Sequence, residues 1–104
     1  MFMQLEYLSD KQLKKDIIEI IKRNLDTDEY RVFFFGSRVQ GNASDRSDID
    51  IGIDGVSRVP GHIMNHINED INNLDTLYSF DIVDMKTATP EFRDSAMRYT
   101  ESIL

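Results

Sequence analysis

The chain contains no cysteine, no surplus of positive charge and no long apolar run. Without cysteine there is no disulfide framework and no thiolate metal site, a test that by itself leaves the compartment open. Twelve Lys and Arg stand against nineteen Asp and Glu, a formal net charge of −7. That balance argues against general nucleic-acid binding, which needs a basic patch. Met1 to Leu8 lacks the basic region and apolar stretch of a signal peptide. No apolar run approaches the roughly 20 residues of a membrane span. The expectation is a cytoplasmic protein without membrane contact.

What is present fits a small folded enzyme. Hydrophobic residues make up 40% and charged residues 30% of 104 positions, a globular profile rather than a disordered one. That length predicts a single domain over residues 1–104, with a modest core. Helical and strand-like segments alternate, with no linker, repeat or low-complexity stretch between them.

Ser9-Asp10-Lys11-Gln12 reads as a capping box, with Leu8 and Leu13 placed as a hydrophobic staple. The helix that follows presents Leu13, Ile17, Ile20, Ile21 and Leu25 on one face. Lys11, Lys14, Lys15, Lys22 and Arg23 read as its solvated side. A turn around Asp26 to Asp28 leads into the strand Tyr30 to Phe35. After a loop from Gly55 to Gly61, a helix from about His62 to Leu74 offers Ile63, Ile67, Ile71 and Leu74 as its stripe. His62 and His66 stand four apart on it, but without a third ligand they read as exposed helix residues rather than a zinc site. The Asn and Asp residues at 65, 68, 70, 72, 73 and 75 read as surface. Ser79 to Met85 is a further strand, and Thr89-Pro90-Glu91 starts a last helix with Phe92, Ala96, Tyr99 and Ile103 as its stripe. The fold class is α/β (α+β): a small mixed sheet packed with helices in the order α-β-α-β-α-β-α.

The chemistry concentrates between residues 36 and 54. The first strand stops abruptly at Gly36-Ser37 and gives way to a helical turn. Free backbone N–H groups and the Ser37 hydroxyl there favour an anion. Gly36 lets backbone approach a phosphate closely, and Arg38 is placed to add a bidentate contact. Ser47 to Asp54 then alternates with period two, turning Ile49, Ile51 and Ile53 to one face and Asp48, Asp50, Gly52 and Asp54 to the other. Asp is disfavoured in strands, and two carboxylates on one face repel unless a cation lies between them. Mg²⁺ suits such a pair, because it takes one or two carboxylates plus phosphate oxygens and water. Taken alone, Gly-Ser also fits an ordinary capped turn and Asp-x-Asp a solvated strand face.

The two halves occur in order, with ten residues between Ser37 and Asp48. This stretch resembles the Gly-Ser-x10-Asp-x-Asp signature of the DNA polymerase β-like nucleotidyltransferase superfamily. The short chain looks most like its minimal nucleotidyltransferase (MNT) group. The likeness extends to Arg38, Gly41 and Ser47-Asp48-Ile49-Asp50 and covers most of the chain. It implies a three-stranded palm-like core and a third carboxylate on a later strand. Asp81 and Asp84 both lie on the strand after Ser79, on opposite faces, and alternation does not choose between them. The resemblance favours Asp81, which precedes the apolar pair Ile82-Val83.

The resemblance further implies a mechanism. Asp48 and Asp50 would hold an ion bridging the triphosphate and share a second ion with Asp81, both Mg²⁺ or Mn²⁺. Gly36, Ser37 and Arg38 would grip the phosphates of ATP. Larger relatives carry a separate acceptor-binding domain, so the expectation here is an acceptor platform from another chain. The MNT group implies a HEPN-domain ribonuclease toxin as hetero-oligomeric partner, AMP transfer to one of its tyrosines, and an antitoxin role. A homodimer is also compatible with the short chain. Two alternatives stand beside this one: an inactive antitoxin that works by binding alone, and a transferase for a small molecule such as an aminoglycoside antibiotic.

Overall fold

A computed structural model describes residues 10–41 and 48–104. The helix α1 (Asp10–Asn24) buries Leu13, Ile17, Ile20 and Ile21, the stripe that the sequence presents at helical spacing. Leu8 and Ser9 of the expected staple and capping box lie outside the described residues. The amide of Asp28 donates to Asp26 Oδ1 at 3.0 Å, an Asx turn that reverses the chain into β1 (Tyr30–Phe35).

Four strands form one sheet in the order β3-β2-β1-β4. β1 runs antiparallel to β2 (Ile49–Gly55), with Phe33 opposite Gly52 and Phe35 opposite Asp50. β2 runs parallel to β3 (Phe80–Asp84), with Asp50 opposite Asp81. Between β2 and β3 lies α3 (Gly61–Asn72), whose Ile67 and Ile71 are buried, as a parallel crossover requires.

The two sheet faces differ in what covers them. Val32, Phe34, Ile49, Ile51 and Ile53 face α1 and α3 and form the main core. Each of these fully buried side chains stabilises the fold by roughly 1.5–3 kcal/mol. Phe33, Phe35, Met85 and Ala96 form a smaller cluster on the opposite face, under α4 (Pro90–Met97). From Val32 on, β1 is apolar without alternation because both its faces are covered there; β2 alternates because its second face carries carboxylates. Gly52 belongs to this arrangement, since a Cβ there would strike the Phe33 ring and Met85.

Two expectations need correction. The last helix does not reach Ile103. Thr89 caps it, its Oγ1 accepting from the Phe92 amide at 3.2 Å, but the helix ends at Met97 and a fourth strand, β4 (Glu101–Ser102), follows. The chain end is drawn onto the free edge of β1: Ile103 N–H donates to Val32 O at 2.8 Å. A long-range ladder overrides the helical period, leaving Phe92 43% and Tyr99 49% exposed and placing Ile103 in the main core. Lys14 is likewise no solvated residue. It is half-buried, 2.8 Å from the buried Glu101 and 3.5 Å from Asp10, tying α1 to β4.

Candidate functional site

Gly36 ends β1 with φ +84°, a conformation that L side chains rarely adopt. A Cβ at this position would also run into the Asp50 carboxylate. Glycine is therefore required twice, by its dihedral angle and by the close approach of an acid. The single turn α2 (Ser37–Gln40) follows and closes on Gly41, itself left-handed, whose N–H donates to Ser37 O at 3.0 Å. Ser37 is thus held at the start of the turn, immediately after the glycine that borders Asp50.

Pairing brings the acids together. Asp50 is the cross-strand partner of both Phe35 and Asp81, so Asp50 and Asp81 share a face of adjacent strands about 4.8 Å apart. Asp48 precedes β2 and accepts from Ser79 Oγ at 2.7 Å. Asp84 goes elsewhere. It is 5% exposed, and its carboxylate accepts from the Val59 amide at 2.7 Å and the Lys86 amide at 3.0 Å. Its oxygens anchor the loop before α3, whereas Asp81 is exposed beside Asp50.

The local electrostatics separate the acids of β2. Burial, reinforced by the charges of Asp81 and Asp48, pushes the Asp50 carboxyl up to about 6. Asp54, four residues along the same face, is held below the usual carboxylate range. There the Arg93 guanidinium donates through both terminal nitrogens, at 2.9 Å each. Among the described residues, Asp48, Asp50 and Asp81 make no ion pair.

Other residues stand at positions that carry no local signal of their role. Asn72, one polar residue among several at the end of α3, pairs with the Phe80 backbone in both directions. Its Oδ1 accepts from Phe80 N–H at 3.0 Å, and its Nδ2 donates to Phe80 O at 3.3 Å. This fixes the start of β3 one residue before Asp81. Arg38 is buried, and its guanidinium lies 4.8 Å from the centre of the Tyr78 ring. It does not line the pocket at the acids. His62 and His66 are both exposed on α3.

That pocket, about 240 Å³, is lined by Phe35, Gly36, Gln40, Asp50, Asp81, Phe92, Ser95 and Ala96. Its floor is the sheet and one wall is α4, held by the Arg93–Asp54 pair. Among the described residues no three His, Cys, Asp or Glu side chains form a closed metal cage. The donor set instead suits a hard cation that completes its shell from substrate and water. Asp50 is half-buried and, among the described residues, no neighbouring base offsets its charge, while Asp81 stands open at its side.

Comparison with known proteins agrees with this fold. A family model described as "Polymerase beta, Nucleotidyltransferase" matches residues 9–104. No curated protein matches the chain. Among solved structures, one described as a toxin-antitoxin with AMP-PNP is similar at TM-score 0.71 and 21% identity, covering 88% of this chain and 72% of that one. A Shewanella oneidensis structure, a tri-AMPylated HEPN toxin in complex with MNT antitoxin, is similar at TM-score 0.71 and 16% identity, over 92% and 72%. The toxin-antitoxin MntA-HepT is similar at TM-score 0.69 and 17% identity, over 91% and 72%. At these identities the likeness to solved structures concerns the fold.

Proposed function

The chain belongs to the polymerase β nucleotidyltransferase family, and from that premise we propose that residues 1–104 act as one domain transferring AMP from ATP to a hydroxyl of a partner protein. The partner is a HEPN-type toxin in a hetero-oligomer, the acceptor is a tyrosine on it, and the transfer neutralises it. The observation that carries the reading is the cross-strand pair Asp50–Asp81, with Asp50 set directly against Gly36. In this reading the acids stand beside a turn that would offer backbone N–H groups to phosphate. Similar folds in complexes described with AMP-PNP and with an AMPylated HEPN toxin support the choice of nucleotide and partner.

Asp48, Asp50 and Asp81 are the residues that would hold Mg²⁺. When bound, the ion supplies charge neutralisation at the phosphates and lowers the pKa of the acceptor hydroxyl. Ser37 and the backbone of the turn after Gly36 bind the terminal phosphates and steady the pyrophosphate as it leaves. Asp50 and Asp81 orient the acceptor oxygen toward the α-phosphorus. That oxygen forms a bond to phosphorus while the bond to the bridging oxygen breaks. Pyrophosphate departs with the electron pair, and the hydroxyl proton leaves to solvent, to which Asp81 is open. In this reading Asp48 keeps its orientation through Ser79. A protein that works in this way on an intracellular toxin resides in the cytoplasm.

The test uses ATP labelled on the α-phosphate, with Mg²⁺ and extract from the native source. The wild-type chain is expected to label one protein band at tyrosine, and the Asp48→Asn/Asp50→Asn double variant none. Equal labelling by both would refute the assignment. Tight capture of the partner with no labelling from any nucleotide would replace it with neutralisation by contact.

A further inference from the structure

The side chains of α2 divide into two sets. Gly36 and Gln40, one helical turn apart, border the pocket at the acids. Arg38 and Val39 do not; Val39 is 1% exposed in the main core, and Arg38 is 9% exposed. An arginine stays charged inside a protein, so burying one requires groups that replace its lost water. The face of the Tyr78 ring is such a group, with the guanidinium carbon 4.8 Å from its centre.

Tyr78 opens a segment that is held at every residue. Its ring lies against Arg38. Ser79 O accepts from the Ile49 amide at 3.0 Å, and the Ser79 hydroxyl donates to Asp48 at 2.7 Å. Asn72 brackets the Phe80 backbone, and Asp81 lies across from Asp50. The ties at 79, 80 and 81 come from β2, its approach and α3. The tie at Tyr78 comes from the Gly-Ser turn, far earlier in the chain. We propose that Arg38 is a positioning residue: by holding the Tyr78 ring it locks the Gly-Ser turn to the segment 78–81, so that Ser79 and Asp81 stand where a divalent cation at Asp48 and Asp50 requires them.

The inference rests on the proposed transferase reading for the cation, and it replaces the direct phosphate contact that the sequence suggests for Arg38. A guanidinium that gripped phosphate would open onto the pocket, whereas this one is buried away from its lining. Placement matters because Mg²⁺ demands near-ideal octahedral geometry. Groups that orient metal ligands are worth roughly 10–100-fold in affinity. Arg38 acts one step further out, through Tyr78 and Ser79, so an effect of about fivefold is expected.

The test is a double-mutant cycle on the full chain. Arg38→Met keeps the bulk of the stem and removes the cation, and Tyr78→Leu removes the ring face. Without ligand, each substitution is expected to move the amide NMR signals of Ser79 and Asp81. With ATP present, each should raise the Mg²⁺ needed for half-saturation by about fivefold, and the double variant no further. Tyr78→Phe, which keeps a ring face, should stay within about twofold of wild type. ATP affinity at saturating Mg²⁺ should be unchanged throughout. Additive effects on Mg²⁺, or unmoved Ser79 and Asp81 signals, would overturn the proposal. So would weaker ATP binding at saturating Mg²⁺ in Arg38→Met with Tyr78→Leu silent, which would return Arg38 to the phosphates. Tyr78 is half-buried in the approach to β3, so its variants carry the test even if Arg38→Met does not fold; equal behaviour of Tyr78→Leu and Tyr78→Phe would then refute it. Failure of the transferase reading shows separately, as no Mg²⁺-dependent ATP binding by the wild-type chain while the Ser79 and Asp81 signals still respond to the substitutions.

Discussion

Asp50 and Asp54 lie on the same face of one strand, four residues apart, and their environments are opposite. Asp54 receives both arms of Arg93 and is held ionised. Asp50 faces two further acids, is half-buried and is pushed up to about 6. One end of β2 is electrostatically closed by the chain's own residues, and this closure fastens α4 to the sheet. The other end is left open. A fold able to place an arginine at Asp54 places none at Asp50 among the described residues. In the proposed function the missing charge is the one a bound cation would supply.

The largest effect that tests this contrast is on transfer. Asp50→Asn is expected to lower nucleotide transfer by roughly 10³-fold or more, since it removes a carboxylate from the reacting centre. It should not unfold the protein. Removing a half-buried charge beside two like charges relieves repulsion. An upward displacement of this size corresponds to about 3 kcal/mol in a sealed site, and solvent access cuts it to roughly 1–2 kcal/mol. Labelled transfer beside a denaturant melt at pH 7 gives both numbers, and a variant that is inactive because it is less stable would break the comparison.

Next in size is Gly36→Ala. The added methyl meets the Asp50 carboxylate at a dihedral angle that alanine resists, at a cost of about 1–3 kcal/mol. Relief requires Asp50 to move, so transfer should fall further than stability alone explains. Gly41→Ala is the control: its φ is +83° but a Cβ there meets nothing within 4 Å among the described residues. It should share the dihedral strain and spare the site, a difference readable in melts and transfer assays of the two variants.

How much of this was legible in the sequence depends on how local the cause is. Gly36, Asp48 and Asp50 stand out because a turn followed by acids at period two is written in contiguous residues. The stripes of α1 and α3 are legible for the same reason. Asp84 is set apart from Asp81 by its burial and by the amides of Val59 and Lys86, the first of them 25 residues away, so alternation left both open. Arg38 read as a phosphate ligand because its neighbour Ser37 did; its stacking on Tyr78 depends on where the chain returns forty residues later. The early end of α4 follows from a vacant β1 edge, which no window around Tyr99 contains.

A third test varies pH and Mg²⁺. For Asp50 the folded value lies above the ordinary 3.8, so the folded state holds this proton more tightly than the unfolded one. Its contribution to stability is full below about pH 4, is lost as pH rises through about 6, and stays lost above. For Asp54 the folded value is lowered, so its contribution is present above about pH 4 and is lost as pH falls through that lowered value. The stability gap between wild type and Asp50→Asn should therefore open between about pH 4 and 6, while that for Asp54→Asn closes on acidification. Added Mg²⁺ should narrow the first gap at pH 7 and leave the second unchanged. Denaturant melts across pH, with and without the ion, measure all of this; equal Mg²⁺ responses would remove the distinction between the two ends of the strand.

The smallest expected effect concerns how the open end keeps its shape. Ser79 Oγ donates to Asp48 Oδ1 at 2.7 Å, a contact between β3's approach and the residue before β2. Asp48 is exposed, so the bond adds little to folding: Ser79→Ala should change stability by no more than about 0.5 kcal/mol. It holds one rotamer, though, and a carboxylate free to turn offers its oxygen to a cation for less of the time. Transfer should fall about threefold to tenfold, with most of the loss recovered at high Mg²⁺ and by Ser79→Thr, which keeps the hydroxyl. Asp54 has no such dependence, because Arg93 orients it from two directions at once. If Ser79→Ala leaves the Mg²⁺ requirement of transfer unchanged, Asp48 is oriented by something other than this hydroxyl.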